Sequence, residues 1–165
     1  MDAYTAVLTK RDTRAYSNRP IPDETLRRIL QAGRMAGSSK NSQPCRFIVL
    51  RDPAHRQEVA TCGQWAVPIA AAPLAIAIVL LPGGGAFDAG RAAQNMMITA
   101  WAEGITSCPV ALHDQNCARE RLGLPEGYHV QTVIAFGYPD ESAPPRESRP
   151  RLPFEEYVRY EYWQG

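Results

Sequence analysis

Leu74-Ala75-Ile76-Ala77-Ile78-Val79-Leu80-Leu81 is an unbroken apolar run set between Pro73 and the break Pro82-Gly83-Gly84-Gly85. Eight residues are few for a buried helix, and the run is rich in β-branched side chains, so Pro73 to Leu81 is read as a fully buried strand. The wider stretch from Trp65 to Pro82 has eighteen residues without a charge, but Pro68 and Pro73 interrupt it. A membrane-spanning helix needs about 20 continuous apolar residues, so no membrane segment is expected here. A strand with no polar face requires cover on both sides of its sheet.

The rest of the chain supplies candidates for that cover. Tyr4, Val7 and Leu8 suggest a short amphipathic helix leading into Lys10-Arg11-Asp12-Thr13-Arg14. After Pro20-Ile21-Pro22, Asp23 is read as the N-cap of a helix that carries Leu26, Ile29, Leu30 and Gly33 on one face and stops near Gly37. Phe47 to Leu50 reads as a strand and Pro53 to Thr61 as a helix with proline at its first position. Phe87 to Glu103 is the longest helical stripe, built on Ala89, Ala93, Met96, Met97, Ala100 and Trp101 and closed by Gly104. Ile105 to Val110 and His129 to Phe136 read as strands, with an Asp114-capped helix between them ending near Leu122-Gly123. The stretch from Asp140 to Pro153 is rich in proline and arginine and reads as an extended segment. Few strands in irregular alternation with helices point to an α+β fold with a central, mainly antiparallel sheet flanked by helices, in one domain spanning 1–165.

The 165 residues carry a net charge of +1, which gives no overall attraction to nucleic acid or an anionic membrane. Cys45, Cys62, Cys108 and Cys117 have no C-x-x-C spacing, so neither a zinc site nor a disulfide framework is expected; free intracellular thiols are the simplest account. The N-terminal Met1-Asp2-Ala3-Tyr4 has no apolar leader, and the protein is expected to be cytoplasmic. His55, His113 and His129 are isolated, so no metal is expected. Gly83-Gly84-Gly85 lacks the lysine and Ser/Thr of a phosphate loop, no G-x-G-x-x-G follows a strand, and no G-x-S-x-G is present.

Two basic clusters and one polar loop remain. Lys10, Arg11 and Arg14 follow the first helix, and Arg146, Arg149 and Arg151 sit in the Pro-rich segment. Each alone reads as a solvated charged face; together they would bind a dianionic phosphate through arginine's planar fork. Ser38, Ser39, Asn41 and Gln43 offer groups that donate and accept, suited to the edge of a flat heterocycle, or to closing a helix C-terminus.

Three motifs in order resemble the nitroreductase family of FMN-dependent flavoproteins. They are Lys10-Arg11-Asp12-Thr13-Arg14 with Ala15-Tyr16-Ser17 and Pro20-Ile21-Pro22, then Gly37 to Pro44, then Gly137-Tyr138-Pro139 with Arg149-Pro150-Arg151-Leu152-Pro153. The resemblance implies an FMN-dependent oxidoreductase that takes hydride from NAD(P)H and reduces nitroaromatics, quinones or similar acceptors by a ping-pong mechanism. It places Lys10, Arg11, Arg14, Arg149 and Arg151 around the FMN phosphate and Asp12 near the ribityl or pyrimidine side. It sets Ser38, Ser39, Asn41 and Gln43 along the cofactor, and Pro109, Val110 and Ala111 on the other flavin face, with a backbone N–H toward N5. No catalytic side chain is implied, because the flavin carries the chemistry. The resemblance further implies a homodimer with FMN in its interface, Phe87 to Glu103 as the interface helix, and residues 140–165 as an extension crossing to the partner chain.

Three departures stand out. Asp12 replaces a common serine, Cys45 replaces the usual aromatic after Gln43-Pro44, and the span from Gln64 to Pro73 leaves little room for the excursion that covers the flavin in longer members. A more open cleft follows. A flavin-binding protein without turnover and a flavin-modifying relative of the same superfamily are the alternative readings.

Overall fold

The computed structural model describes residues 1–144 and 150–163. Its strands are β1 (Cys45–Leu50), β2 (Leu74–Leu80), β3 (Thr106–Val110) and β4 (His129–Gly137), which form one sheet in the order β1-β2-β4-β3 with every pair antiparallel. The helices are α1 (Ala3–Thr9), α2 (Asp23–Arg34), α3 (Pro53–Ala60), α4 (Val67–Ala71), α5 (Ala86–Ala102), α6 (Gln115–Leu122) and α7 (Phe154–Tyr157). The expected α+β architecture is the observed one.

The composition of β2 decides how the layers stack. Successive side chains of a strand point to opposite faces. Leu74, Ile76, Ile78 and Leu80 fall on the face covered by α2 and α5, where they meet Leu26, Ile29, Met96 and Phe136. Ala75 and Ala77 fall on the other face, where their small size admits Val59, Ile69 and Ala118 of the layer formed by α3, α4 and α6. All seven β2 residues are buried, as the sequence run predicts. On the first face, α2 approaches α5 closely because position 33 has no side chain: a Cβ on Gly33 would lie 2.2 Å from Met96 Cε.

The structure revises three expectations. Asp23 does not cap α2; it is the first helical residue, Pro22 holds the cap position, and the Asp23 carboxylate pairs with Arg51 instead. The span after Gln64 contains a helix, α4, that the sequence reading missed, with Pro68 tolerated in its first turn, where its missing N–H has no partner to lose. The cysteines are not all free thiols, because Cys62 and Cys117 form a disulfide while Cys45 and Cys108 remain unpaired. A sequence separation of 55 hides that pair from any spacing rule. Closing so long a loop restricts the unfolded chain by about 4 kcal/mol in the chain-entropy model. Reduction is therefore expected to lower Tm by roughly 8–16 °C, followed by thermal unfolding with and without dithiothreitol. An unchanged Tm with all four thiols freed would show that the bridge restricts the unfolded chain far less than its loop length implies.

The stripe on α5 is used within this chain. Ala89, Ala92, Ala93, Met96, Met97 and Ala100 are buried, whereas Phe87 at the helix start is exposed.

Candidate functional site

The first cluster is fixed by β3. Beyond α1 the chain runs extended, and Asp12 forms a parallel bridge to Ser107, reinforced by Thr13 N–H donating to the Ser107 carbonyl at 3.2 Å. Tyr16 then bridges Pro139, its hydroxyl donates to the Thr13 carbonyl at 2.7 Å, and Ser17 N–H donates to the Tyr138 carbonyl at 2.9 Å. Burial pushes the Tyr16 phenol well above its ordinary range, with the nearby Cys108 adding to the effect, so it serves as a neutral structural donor. Tyr16 packs where a side chain is missing: a Cβ on Gly137 would lie 2.8 Å from both Tyr16 Cδ1 and Pro73 Cδ. Both atoms belong to rings that cannot swing aside. Gly137→Ala is expected to cost about 1–3 kcal/mol in urea unfolding, through forced displacement of Tyr16.

This pinning sets the charges. Lys10 pairs with Asp12, its Nζ lies 3.5 Å from Met97 Sδ on α5, and its side chain is only 12% exposed. Arg14 is exposed. Burial pushes the Cys108 thiol up, while Arg14 and Lys10 oppose that rise and Asp12 favours it, so these groups share one corner of the fold. Arg11 behaves differently, because its Nη1 donates to the Leu8 and Lys10 carbonyls, each at 2.9 Å, and so caps the C-terminal end of α1. At the same corner Pro109 and Ala111 are exposed and Val110 is buried. Edge position is what permits a proline inside β3. Ser107 is 1% exposed, and its hydroxyl has no hydrogen-bond partner among the described residues. Nothing in the sequence singled Ser107 out; it emerges only from the pairing of Asp12 with β3.

The polar loop lies elsewhere. Ser39–Asn41 forms one 3-10 turn, and Lys40, Asn41 and Gln43 have positive φ of 51°, 54° and 49°. Asparagine tolerates that region; lysine and glutamine adopt it at an energetic cost that such loops carry mainly at functional sites. The conformation is held by Gln43 N–H donating to Ser38 Oγ at 2.9 Å and by Arg46 Nη1 donating to the carbonyls of Gln43 and Cys45 at 2.9 and 2.8 Å. Ser39, Asn41 and Gln43 remain exposed and Ser38 is half-buried. Beside the loop is a cavity of about 490 Å³ between α2 and β1, walled by Leu30, Phe47 and Val49 with Arg27, Arg34 and Asp88 around it. Burial also pushes up the Cys45 thiol on its wall, with Asp88 reinforcing the shift, which keeps this departure from the aromatic pattern protonated.

The two halves do not meet within one chain. Ser38–Gln43 leads into β1, and Asp12 pairs with β3, which are opposite edges of the sheet. They also lie at opposite ends of the strands, since Ser107 is level with Phe136 and Leu74, whereas Cys45 is level with Leu80. Three strand spacings and six residues of rise separate the corners by about 25 Å. Of the Pro-rich segment, Arg151 is exposed and makes no ion pair among the described residues, while Arg149 and Arg146 lie outside them. No His/Cys/Asp/Glu group suited to a metal occurs among the described residues, and no described helix is long and apolar enough to cross a membrane.

The chain matches the model of the nitroreductase family over residues 7–79 and 83–138. It is 29% identical to an NADH dehydrogenase of Thermus thermophilus, over 96% of this chain and 95% of that protein. It is also 29% identical to an NADPH-flavin oxidoreductase of Vibrio harveyi, over 96% of this chain and 73% of that one. Among solved structures, an FMN-dependent nitroreductase of Clostridium difficile superposes with a TM-score of 0.86 at 25% identity, covering 96% of this chain and 98% of that chain.

Proposed function

This chain belongs to the nitroreductase family, and from that premise we propose that it is an FMN-dependent oxidoreductase using NAD(P)H. The FMN held there would supply the redox chemistry, and the protein would present it in turn to NAD(P)H and to a nitroaromatic, quinone or similar acceptor, in ping-pong alternation. The observation that carries the reading is the corner where Lys10, Asp12 and Arg14 run past β3: the two cations act together on Cys108, and Asp12 pairs with the neighbouring Ser107, whose buried hydroxyl has no hydrogen-bond partner among the described residues. A phosphorylated polyol supplies anionic oxygens for such cations. The exposed amide and hydroxyl groups of Ser38, Ser39, Asn41 and Gln43 suit the polar edge of the ring, and Pro109, Val110 and Ala111 would bound its face. Arg149 and Arg151 would pair with the phosphate, as the motif resemblance implies, and no side-chain acid or base is assigned to catalysis.

The protein's part is orientation and charge. Lys10 and Arg14 would hold the phosphate. Arg11 contributes to the same corner only indirectly, by ending α1 where Lys10 must begin.

The 25 Å between the two corners supports a homodimer. One mononucleotide cannot touch both within a chain, but a second copy can bring its Ser38–Gln43 loop to the Lys10–Arg14 corner. Surface area agrees: the chain exposes 10,737 Å². A compact monomer of this mass exposes roughly 8,000 Å². Exposed apolar side chains include Tyr4, Val7 and Leu8 on α1 and Leu152, Phe154, Tyr157 and Trp163 after Pro150. Residues of the 140–165 extension would cross to the partner, and α5 would contribute through Phe87 rather than through its buried stripe.

An absorbance spectrum before and after incubation with FMN and desalting, followed by NADH and NADPH oxidation with a quinone and a nitroaromatic, tests the reading. Retained FMN with acceptor-dependent turnover is expected. Retained flavin without turnover would make the protein a flavin binder, and absence of retained flavin would overturn the assignment.

A further inference from the structure

The Cys62–Cys117 disulfide joins the turn after α3 to the first turn of α6, and the far ends of those two helices also touch, where His55 Nε2 donates to the Arg121 carbonyl at 2.8 Å. Its surroundings lead toward β3. The Cys62 carbonyl accepts from Asp114 N–H at 3.1 Å, and the Asp114 carboxylate accepts from Cys117 N–H at 2.9 Å, so both halves of the bridge hold the same residue. A Cβ on Gly63 would lie 3.0 Å from the Ala111 carbonyl and 3.1 Å from Leu112 Cδ2, which shows how closely the Cys62–Gly63 turn packs on the segment leaving β3. On the far side that segment is tied to β4 through Gln115, whose Nε2 donates to the Leu112 and Val130 carbonyls, each at 3.0 Å, and through Leu112, which shares a buried cluster with Val130.

The two cysteines differ in exposure. Cys62 is 2% exposed, whereas Cys117 is half-buried on α6. We propose that Cys62–Cys117 is a thiol-exchange site, open to a dithiol reductant at Cys117, whose redox state sets how firmly residues 111–114 are held. A thiolate of the reductant attacks Cys117 Sγ, forms a mixed disulfide and expels Cys62 as a thiolate, which takes a proton. The reductant's second thiolate attacks its own sulfur in that mixed bond and releases Cys117, which takes the second proton. Two electrons and two protons pass to the protein, and the reductant ends as a disulfide. Residues 111–114 then keep the hydrogen bonds of Gln115 and lose the covalent clamp behind Asp114. Because Pro109, Val110 and Ala111 immediately precede this turn, exchange at Cys117 would alter the flavin side of the site; this last link rests on the proposed cofactor.

The test uses protein purified without reductant and stripped of flavin. Unfolded in denaturant with a thiol reagent, it is expected to show two reactive thiols, Cys45 and Cys108, and four after the native protein has been treated with dithiothreitol. Amide hydrogen exchange across residues 111–117 is expected to quicken about tenfold on reduction. Cys117→Ser should exchange at the reduced rate and ignore dithiothreitol; if that variant does not fold, limited alkylation of the reduced native protein should label Cys117 before Cys62. Four thiols in the untreated protein, a bridge that dithiothreitol leaves intact, or equal exchange rates in the two forms would each overturn the proposal. With FMN present, reduction is expected to raise Kd about fivefold. Protein that binds no FMN in either form fails the cofactor reading alone, since thiol counts and exchange rates still decide this one.

Discussion

Replacing Lys10 with methionine and Arg14 with glutamine in one variant is expected to weaken FMN binding by two to four orders of magnitude. The figure follows from about 1.5–3 kcal/mol for each charge-assisted hydrogen bond, removed from two cations of one corner. Fluorescence titration of the stripped protein reads it, and the wild-type affinity should fall with added salt, because an exposed cation such as Arg14 is screened. Arg11→Ala is the internal control. Its guanidinium is engaged with the Leu8 and Lys10 carbonyls, so the substitution should shorten α1 and leave FMN affinity within a few-fold of wild type. A double variant that binds FMN normally, or an Arg11 variant that loses it, would reverse the assignment of charges.

Phe136→Ala is expected to cost 3–5 kcal/mol in urea unfolding, enough to threaten folding altogether. Phe136 is fully buried on the α2 and α5 face, level with Leu74 on one side and Ser107 on the other. The sheet cannot close the space, because both neighbouring strands are held in register. Phe136→Leu fills most of the volume and should stay within about 1.5 kcal/mol of wild type. A loss below about 1 kcal/mol for the alanine variant would mean that α5 settles onto the sheet and that the layers are less rigidly spaced than the packing indicates.

These two effects differ in how far the amino-acid order alone reveals them. The burial of Phe136 follows from a strand pattern ending at Gly137. The separate fates of Lys10, Arg11 and Arg14 do not, because consecutive basic residues look alike until the chain's path past Ser107 directs each one. The cap expected at Asp23 illustrates a shift of one position: the helix begins at Asp23 itself, after Pro22, and the carboxylate reaches Arg51, distant in sequence.

Local order determined where elements lie. Apolar residues at strand or helix period, with Pro and Gly at the breaks, placed β2, α5 and the other long elements, and the ordered motifs placed the family, because both depend on neighbours within a few residues. The order β1-β2-β4-β3, the two polar corners at opposite ends of it, the unpartnered hydroxyl of Ser107 and the bridge between Cys62 and Cys117 depend on contacts between residues far apart in the chain. Such contacts are selected by how whole faces pack, and packing of faces is a property that no short stretch of sequence contains.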